Sequence, residues 1–243
     1  MLNEAIVLAG GLGTRLRSVV ADVPKPMAPI GGRPFLEYLF DHWIGQGIRR
    51  FTLSVGYRHE AITGHFGDAY RGAALRYAVE QTPLGTGGAL LRTLGAFRFE
   101  SPVLLLNGDT YFAVDLDPLS DFAAMNTADI AFALFETNDR ARYMGMDLDA
   151  HGRILELQAR DRSPHLANGG VYWLNPGAFR EQASAPERPQ SLEGDLLPAL
   201  LRAGRKLYGR AFPGTFIDIG VPDDFQRAQS LLPSTGQVSH ASC

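Results

Sequence analysis

The chain has 243 residues, of which 45% are hydrophobic, and a formal net charge of −3. That size suits one large domain, and that composition excludes a disordered chain. The charge excludes nucleic-acid binding through bulk electrostatics, and the lone cysteine, Cys243, excludes a disulfide framework or a cysteine-based metal site.

The N-terminal stretch MLNEAIVLAGG has no basic region, and its apolar run is of strand length, too short for a signal peptide or a membrane span. The expectation is a soluble, cytoplasmic protein with no membrane partner. Ala5–Ala9 reads as a buried strand ended by glycine. Pro34–Gln46 carries Phe35, Leu36, Leu39, Phe40 and Trp43 at helical spacing. Phe51–Val55 is a second strand, Ala61–Phe66 a short helix and Leu75–Val79 a third strand. The loop EQTPLGTGG follows, with a helix from about Gly88. Val103–Leu106 is a strand, Leu119–Met125 a helix and Ile130–Phe135 a strand. This alternation over 1–135 predicts a parallel α/β sheet. Beyond it, Gly145–Leu148 and Arg153–Leu157 predict a hairpin about the turn Asp149-Ala150-His151-Gly152. Gly170–Leu174 reads as a strand, Glu193–Ala203 as a helix, and Leu207–Phe212 and Thr215–Ile219 as strands. A last helix spans Pro222–Leu231. The fold expectation is one α/β domain over 1–232, Rossmann-like, with a mostly parallel mixed sheet flanked by helices and with antiparallel additions. The polar segment 233–243 reads as a frayed tail.

In such sheets ligands lie beyond the carboxyl ends of the strands. The stretch AIVLAGGLGTRL sits there, yet it is neither a Walker A loop nor the dinucleotide fingerprint. Gly13 is followed by Thr14-Arg15, and position 16 is leucine. Glycines would let the backbone approach a phosphate, a helix opening after Gly13 would aim free N–H groups at it, and Arg15 adds charge. A plain strand-to-helix turn fits equally well. In Pro24-Lys25-Pro26 the prolines hold a lysine on an extended segment, within reach of a polyphosphate or simply in solvent. Asn107-Gly108-Asp109 ends an apolar strand, where a carboxylate suits a divalent metal or a loop cap. Asp218, among Phe216, Ile217 and Ile219, is a second such carboxylate and needs a partner. Glu80 with Pro83-Leu84-Gly85-Thr86-Gly87-Gly88 suits a base that offers adjacent N–H and carbonyl groups, as guanine, uracil and thymine do. Thr86 also suits a cap on the next helix. Asn168-Gly169-Gly170 and Glu193 are residue types that read hydroxyls.

Together, LAGGLGTRL, PKPM, E-x-x-PLGTGGA, NGDT, NGGVY and DIGVPDDF, in this order over residues 5–225, strongly resemble the sugar-phosphate nucleotidyltransferase family. RSVVADVPKPMAPIGGRPFLEYL and LSVGYRH resemble, within it, the D-glycero-α-D-manno-heptose 1-phosphate guanylyltransferases. The resemblance implies a nucleotide-binding part over 1–135 and a sugar-binding part over 136–232. It implies a nucleotide site of Leu8, Ala9, Gly10, Gly11, Gly13, Thr14, Arg15, Lys25, Glu80, Pro83, Gly85, Thr86, Asn107 and Gly108. Within this set Arg15 holds the β/γ-phosphates, Lys25 neutralises charge near the α-phosphate, and Glu80 and Gly85 read the base. Asp109 and Asp218 would bind Mg²⁺, with Arg15, Lys25 and Asp109 as the catalytic set. Gly145, Asn168, Gly169 and Glu193 would hold the sugar. Many relatives carry Glu-Lys before the NGG segment, where this chain reads Ala159-Arg160; Arg160 would either replace that lysine as a phosphate partner or simply lie in solvent, and Ala159 cannot replace the glutamate.

The implied reaction joins a sugar 1-phosphate to the α-phosphate of an NTP, GTP favoured, and releases pyrophosphate. A uridylyl- or thymidylyltransferase acting on a hexose 1-phosphate and a catalytically silent nucleotide-sensing domain remain alternatives. A molybdopterin-type nucleotidyltransferase shares the opening glycines but fits the NGG segment less well. The family uses several assemblies, so a homo-oligomer stays open. Activated heptose would suit capsule or other surface-glycan synthesis.

Overall fold

The computed structural model describes residues 2–11, 23–139, 142–143, 145–159, 165–179 and 189–235. In chain order the strands and helices are β1 (Glu4–Leu8), β2 (Pro29–Ile30), β3 (Arg33–Pro34), α1 (Phe35–Gly45), β4 (Arg50–Val55), α2 (His59–Phe66), β5 (Ala69–Tyr70) and β6 (Ala73–Val79). Then come α3 (Gly85–Ala96), β7 (Val103–Asn107), β8 (Thr110–Phe112), α4 (Leu116–Met125), β9 (Ile130–Thr137), β10 (Gly145–Leu148) and β11 (Ile154–Ala159). The chain continues through β12 (His165–Leu174), α5 (Leu197–Arg202), β13 (Leu207–Ala211), β14 (Phe216–Asp218) and α6 (Pro222–Thr235).

Among the described residues, ten strands form one mixed sheet, as the α/β reading anticipated. Strands β6, β4, β1 and β7 run parallel, and β12 is antiparallel to both β7 and β9. The expected hairpin β10–β11 is present and joins β12. Two short ladders, β8–β14 and β2–β3, stand outside the main sheet. Because β4 and β7 flank β1 on opposite sides, the chain reverses direction across the sheet at β1, which opens a crevice at its carboxyl end.

Period-2 alternation sorts the core. Ala5, Val7, Leu104 and Leu106 face the helices α1, α2 and α4, whereas Ile6, Val103 and Leu105 face α3 and α5. Helix α1 buries Leu36, Leu39, Phe40 and Trp43, the apolar positions its spacing predicts. Each such side chain contributes roughly 1.5–3 kcal/mol on full burial. Strand β2, helix α1, β14 and α6 share a third cluster around Ile30, Tyr38, Ile217 and Phe225.

Several boundaries differ from expectation: β12 begins at His165 rather than Gly170, α4 at Leu116 rather than Leu119 and α2 at His59 rather than Ala61, and four further differences have a local cause. Helix α3 begins at Gly85 rather than near Gly88, because the Gln190 carbonyl accepts the amides of Gly87 (2.9 Å) and Gly88 (3.3 Å) and closes the first turn. The helix expected over Glu193–Ala203 is a π-helical turn, Leu192–Leu196, followed by α5. Pro198 has no amide to continue an α-helical ladder from the preceding turn. Lys25 opens a 3₁₀ turn through Met27 instead of lying on an extended segment. Burial of Pro26 and Met27 holds that turn. Helix α6 continues through Thr235, past the expected start of the tail.

Candidate active site

The carboxyl ends of β1, β4, β6 and β7 form the floor of the site. Leu8 and Ala9 complete the ladder, with the Ala9 amide donating to Ser54 O at 2.8 Å. Gly10 follows, and a Cβ there would lie 2.6 Å from Glu80 Oε1. Glycine is therefore what lets the chain pass directly over the carboxylate. Glu80 itself is oriented from both sides: Ser54 Oγ donates to Oε1 (3.0 Å) and the Leu84 amide to Oε2 (3.1 Å). Among the described residues, nothing lies within 4 Å of a Cβ built on Gly11. Gly13, Thr14 and Arg15, and with them the expected helix opening, lie outside the described residues.

The PLGTGG loop has a structural role beside the one its glycines suggest. Pro83 is exposed at its rim. Gly85 has φ +70°, and a Cβ on it would meet the Gln190 carbonyl oxygen at 2.4 Å. The amides of Gly87 and Gly88 are already taken by that same carbonyl. Thr86 is no helix cap: its Oγ1 accepts the Leu192 amide (2.8 Å) and donates to Glu193 Oε2 (3.4 Å). The loop thus anchors the segment that carries Glu193.

At the end of β7, the Gly108 amide donates to Leu8 O at 2.9 Å, which binds the two strand ends together. Among the described residues, Asn107 Oδ1 is buried without a hydrogen-bond partner, as is Thr110 Oγ1. Asp109 comes next, and its carbonyl accepts the Ile219 amide at 3.1 Å, drawing the end of β14 alongside. The two predicted metal carboxylates are in this way brought together. Lys25 Nζ lies 2.5 Å from Asp109 Oδ2 and 3.8 Å from Asp218 Oδ1, with the lysine side chain only 14% exposed. Gly220 makes room for this contact, since a Cβ there would lie 2.7 Å from Nζ.

Asp218 has a second cation that the sequence reading missed. Arg142 Nη2 donates to Asp218 Oδ2 (3.0 Å) and Asp218 O (3.2 Å), and Nη1 pairs with Asp224. Arg227 also pairs with Asp224, at 3.2 Å. Burial works against the Arg142 charge, but the hydrogen bond to Asp218 and the surrounding carboxylates outweigh it and hold the guanidinium more firmly protonated than usual.

Beside this cluster is a cavity of about 150 Å³, lined by Arg142, Tyr143, Asn168, Glu193 and apolar side chains. Asn168 and Glu193 are joined by Tyr172, a residue not singled out from the sequence. Asn168 Nδ2 donates to the Tyr172 hydroxyl (2.6 Å), which donates to Glu193 Oε1 (3.3 Å). Tyr172 is fully buried, and burial followed by the Glu193 charge pushes its ionisation far up, so it remains a neutral donor. Gly169 is pressed against Phe112, where a Cβ would meet the ring at 2.3 Å, so the position has no room for a side chain. Gly145 is buried in β10 between Ala159 and Ala167, and its neighbours Tyr143 and Met146 reach the cavity. Arg160 lies outside the described residues.

Two carboxylates at converging strand ends form a hard-oxygen pair suited to Mg²⁺, which takes one or two carboxylates and completes its shell with phosphates and water. The cation already seated between them and the space kept by Gly220 support that fit. Among the described residues no cluster of three or more His, Cys, Asp or Glu side chains could hold a metal by protein ligands alone.

The nucleotidyl transferase family pattern matches residues 4–235. The chain belongs to that family. This nucleotidyl transferase is 43% identical over 232 residues to a D-glycero-alpha-D-manno-heptose 1-phosphate guanylyltransferase of Aneurinibacillus thermoaerophilus, covering 94% of this chain and 98% of the relative. A protein of the same name from Campylobacter jejuni is 40% identical over 91% of this chain and 96% of the relative. The crystal structure of HddC from Yersinia pseudotuberculosis complexed with GMP-PN superposes with a TM-score of 0.80 at 31% identity, covering 94% of this chain and 98% of that one. Among the described residues of the transferase, no helix is long and apolar enough to cross a membrane.

Proposed function

We propose that this nucleotidyl transferase moves GMP from GTP onto D-glycero-α-D-manno-heptose 1-phosphate, giving GDP-heptose and pyrophosphate. The observation that carries the reading is the convergence of Lys25, Asp109 and Asp218 at the crevice beside the cavity of Asn168 and Glu193. The choice of heptose and guanine draws on the relatives' names and their level of identity.

In the reaction an oxygen of the sugar phosphate forms a bond to the α-phosphorus. The bridging bond to the β-phosphate breaks, and pyrophosphate leaves with that electron pair. The nucleophile is already an anion, so no side chain has to remove a proton. Bringing two anions together is the main obstacle, and positive charge with in-line positioning lowers it. Mg²⁺ on Asp109 and Asp218 would supply charge neutralisation at the phosphates. Lys25 turns its ammonium to the α-phosphate, and Arg15 holds the outer phosphates. Glu80 keeps free lone pairs on both oxygens and accepts from the adjacent N–H groups of guanine. The passage over Gly10 lets the base lie close against it. Asn168 and Glu193, oriented through Tyr172, bind sugar hydroxyls. A soluble, cytoplasmic enzyme of this kind would then supply GDP-heptose to capsule or other surface-glycan synthesis.

The test is pyrophosphate release by the purified protein with Mg²⁺, each of four NTPs and a panel of sugar 1-phosphates. GTP with the heptose 1-phosphate should give the highest kcat/KM. Absence of turnover on every pair sinks the reading, and preference for UTP or dTTP with a hexose 1-phosphate overturns its specificity.

A further inference from the structure

We propose that Arg142 holds the 1-phosphate of the sugar acceptor; this rests on the transferase reading above. Of the described residues lining the 150 Å³ cavity, Arg142 alone is basic. The same side chain reaches Asp218 with two hydrogen bonds. It therefore spans the distance between the sugar cavity and the carboxylate pair. The acceptor phosphate must occupy that interval, because its sugar lies in the cavity and its reacting oxygen must meet the α-phosphorus.

The charges around Arg142 support the assignment. Asp109, Asp218 and Asp224 are matched by Lys25, Arg142 and Arg227 through a connected set of ion pairs. An anion entering this balanced network would be opposed. A divalent cation taken up by Asp109 and Asp218 relieves the opposition: it replaces Lys25 and Arg142 as the counter-charge of Asp218 and leaves both free to face phosphate. Asp224 keeps Arg227 as its partner throughout. The released Nη2 edge of Arg142 presents a fork that matches two phosphate oxygens, which a lysine ammonium does not reproduce. The assignment also gives the acceptor phosphate a cation independent of Arg160.

Arg142 also ties its own loop to the start of α6 through Asp224, so the experiment must separate a phosphate contact from a clamp. The wild-type chain, Arg142→Met, Arg142→Lys and Asp224→Asn are compared with Mg²⁺ present. For each, four quantities are measured: KM for heptose 1-phosphate, KM for GTP, Ki of the unphosphorylated heptose as a competitive inhibitor, and Tm. Arg142→Met should raise KM for the sugar phosphate by about 30-fold, the loss expected for a charge-assisted contact. It should leave KM for GTP and the Ki of the free sugar within about threefold. Arg142→Lys keeps the charge without the fork and should fall between, which preserves the test if the methionine variant does not fold. Asp224→Asn should lower Tm and leave the sugar-phosphate KM nearly unchanged. Equal weakening of sugar and sugar phosphate, or an Asp224→Asn variant that reproduces the KM rise, would overturn the proposal. A wild-type chain silent on all acceptors sinks the transferase reading itself, a different result from an active wild type with an unmoved KM.

Discussion

Lys25 and Asp109 form a 2.5 Å ion pair, and the same ammonium lies 3.8 Å from Asp218. One lysine is therefore the shared counter-ion of both carboxylates assigned to the metal. Its charge has to leave that position before a cation can occupy it, and the phosphates of a nucleotide give it somewhere to go. On the proposed assignment, metal and nucleotide binding would be coupled by this exchange, and the coupling would be reciprocal.

Lys25→Met tests the exchange. Removing a positive charge a few ångström from the carboxylates should tighten binding of free Mn²⁺ in the absence of nucleotide about fivefold or more, since a unit charge at 4 Å contributes ~1 kcal/mol even in a water-like dielectric. Turnover should fall by about 100-fold, as the α-phosphate loses its cation. Electron paramagnetic resonance of Mn²⁺ reads the first effect without any catalysis. Asp109→Asn should abolish the same signal. Unchanged or weaker Mn²⁺ binding in Lys25→Met would show that the lysine does not compete for the metal position.

The longer strands, the sheet class and the order of motifs were legible because they depend on local pattern, whereas the two- and three-residue strands β2, β3, β5 and β8 are too short to carry one. Ala5 and Val7 face one layer and Ile6 the other, as alternation requires. Lys25, Asp109 and Asp218 were grouped as one site by their places in the recurring motifs, and the structure brings them together. Arg142 was not legible, because its meaning lies in a partner 76 positions away. Tyr172 reads as a core aromatic on a strand, and only the fold reveals that its hydroxyl joins Asn168 to Glu193. The start of α3 was misplaced for the same reason: the group that closes its first turn is the carbonyl of Gln190, on a distant segment.

Tyr172→Phe isolates the role of that hydroxyl. The ring and its edge-on contact with Phe132 remain, so packing is preserved. Asn168 loses an acceptor and Glu193 a donor, and both side chains line the sugar cavity. Stability should fall by only about 1–2 kcal/mol. KM for the sugar phosphate should rise about tenfold, with KM for GTP unmoved. A parallel rise in both constants would show that Tyr172 supports the fold as a whole rather than the acceptor site.

His42 gives stability a pH dependence away from the active site. Its Nε2 lies 3.1 Å from Val114 O, and its ring packs edge-on against Trp43 and Tyr111. Burial lowers its pKa below 6.5, outweighing the Val114 carbonyl and the charge of Asp115. The unfolded chain therefore binds the proton first, so the stability contribution is intact above pH 6.5 and is lost as pH falls through the folded pKa. Urea melts from pH 7 downward should show wild type losing stability relative to His42→Gln, where glutamine can still donate to Val114. Parallel curves for the two proteins would remove His42 as the source.

Gly85→Ala should couple a local backbone fault to sugar binding. Alanine at φ +70° is strained, and its Cβ would lie 2.4 Å from the Gln190 carbonyl oxygen. The cheapest relief is displacement of residues 190–192, which costs the Gln190 bonds to the first turn of α3 and the Thr86 bond to the Leu192 amide. A stability loss of roughly 2–4 kcal/mol follows from strain plus overpacking. Glu193 rides on the displaced segment, so KM for the sugar phosphate should rise more than KM for GTP. Gly11→Ala is the matched control for chain stiffness, because a Cβ there meets nothing within 4 Å among the described residues. Its unfolding free energy should stay within about 1 kcal/mol of wild type. If Gly85→Ala were equally stable, the 190–192 segment would not depend on the close approach that Gly85 permits.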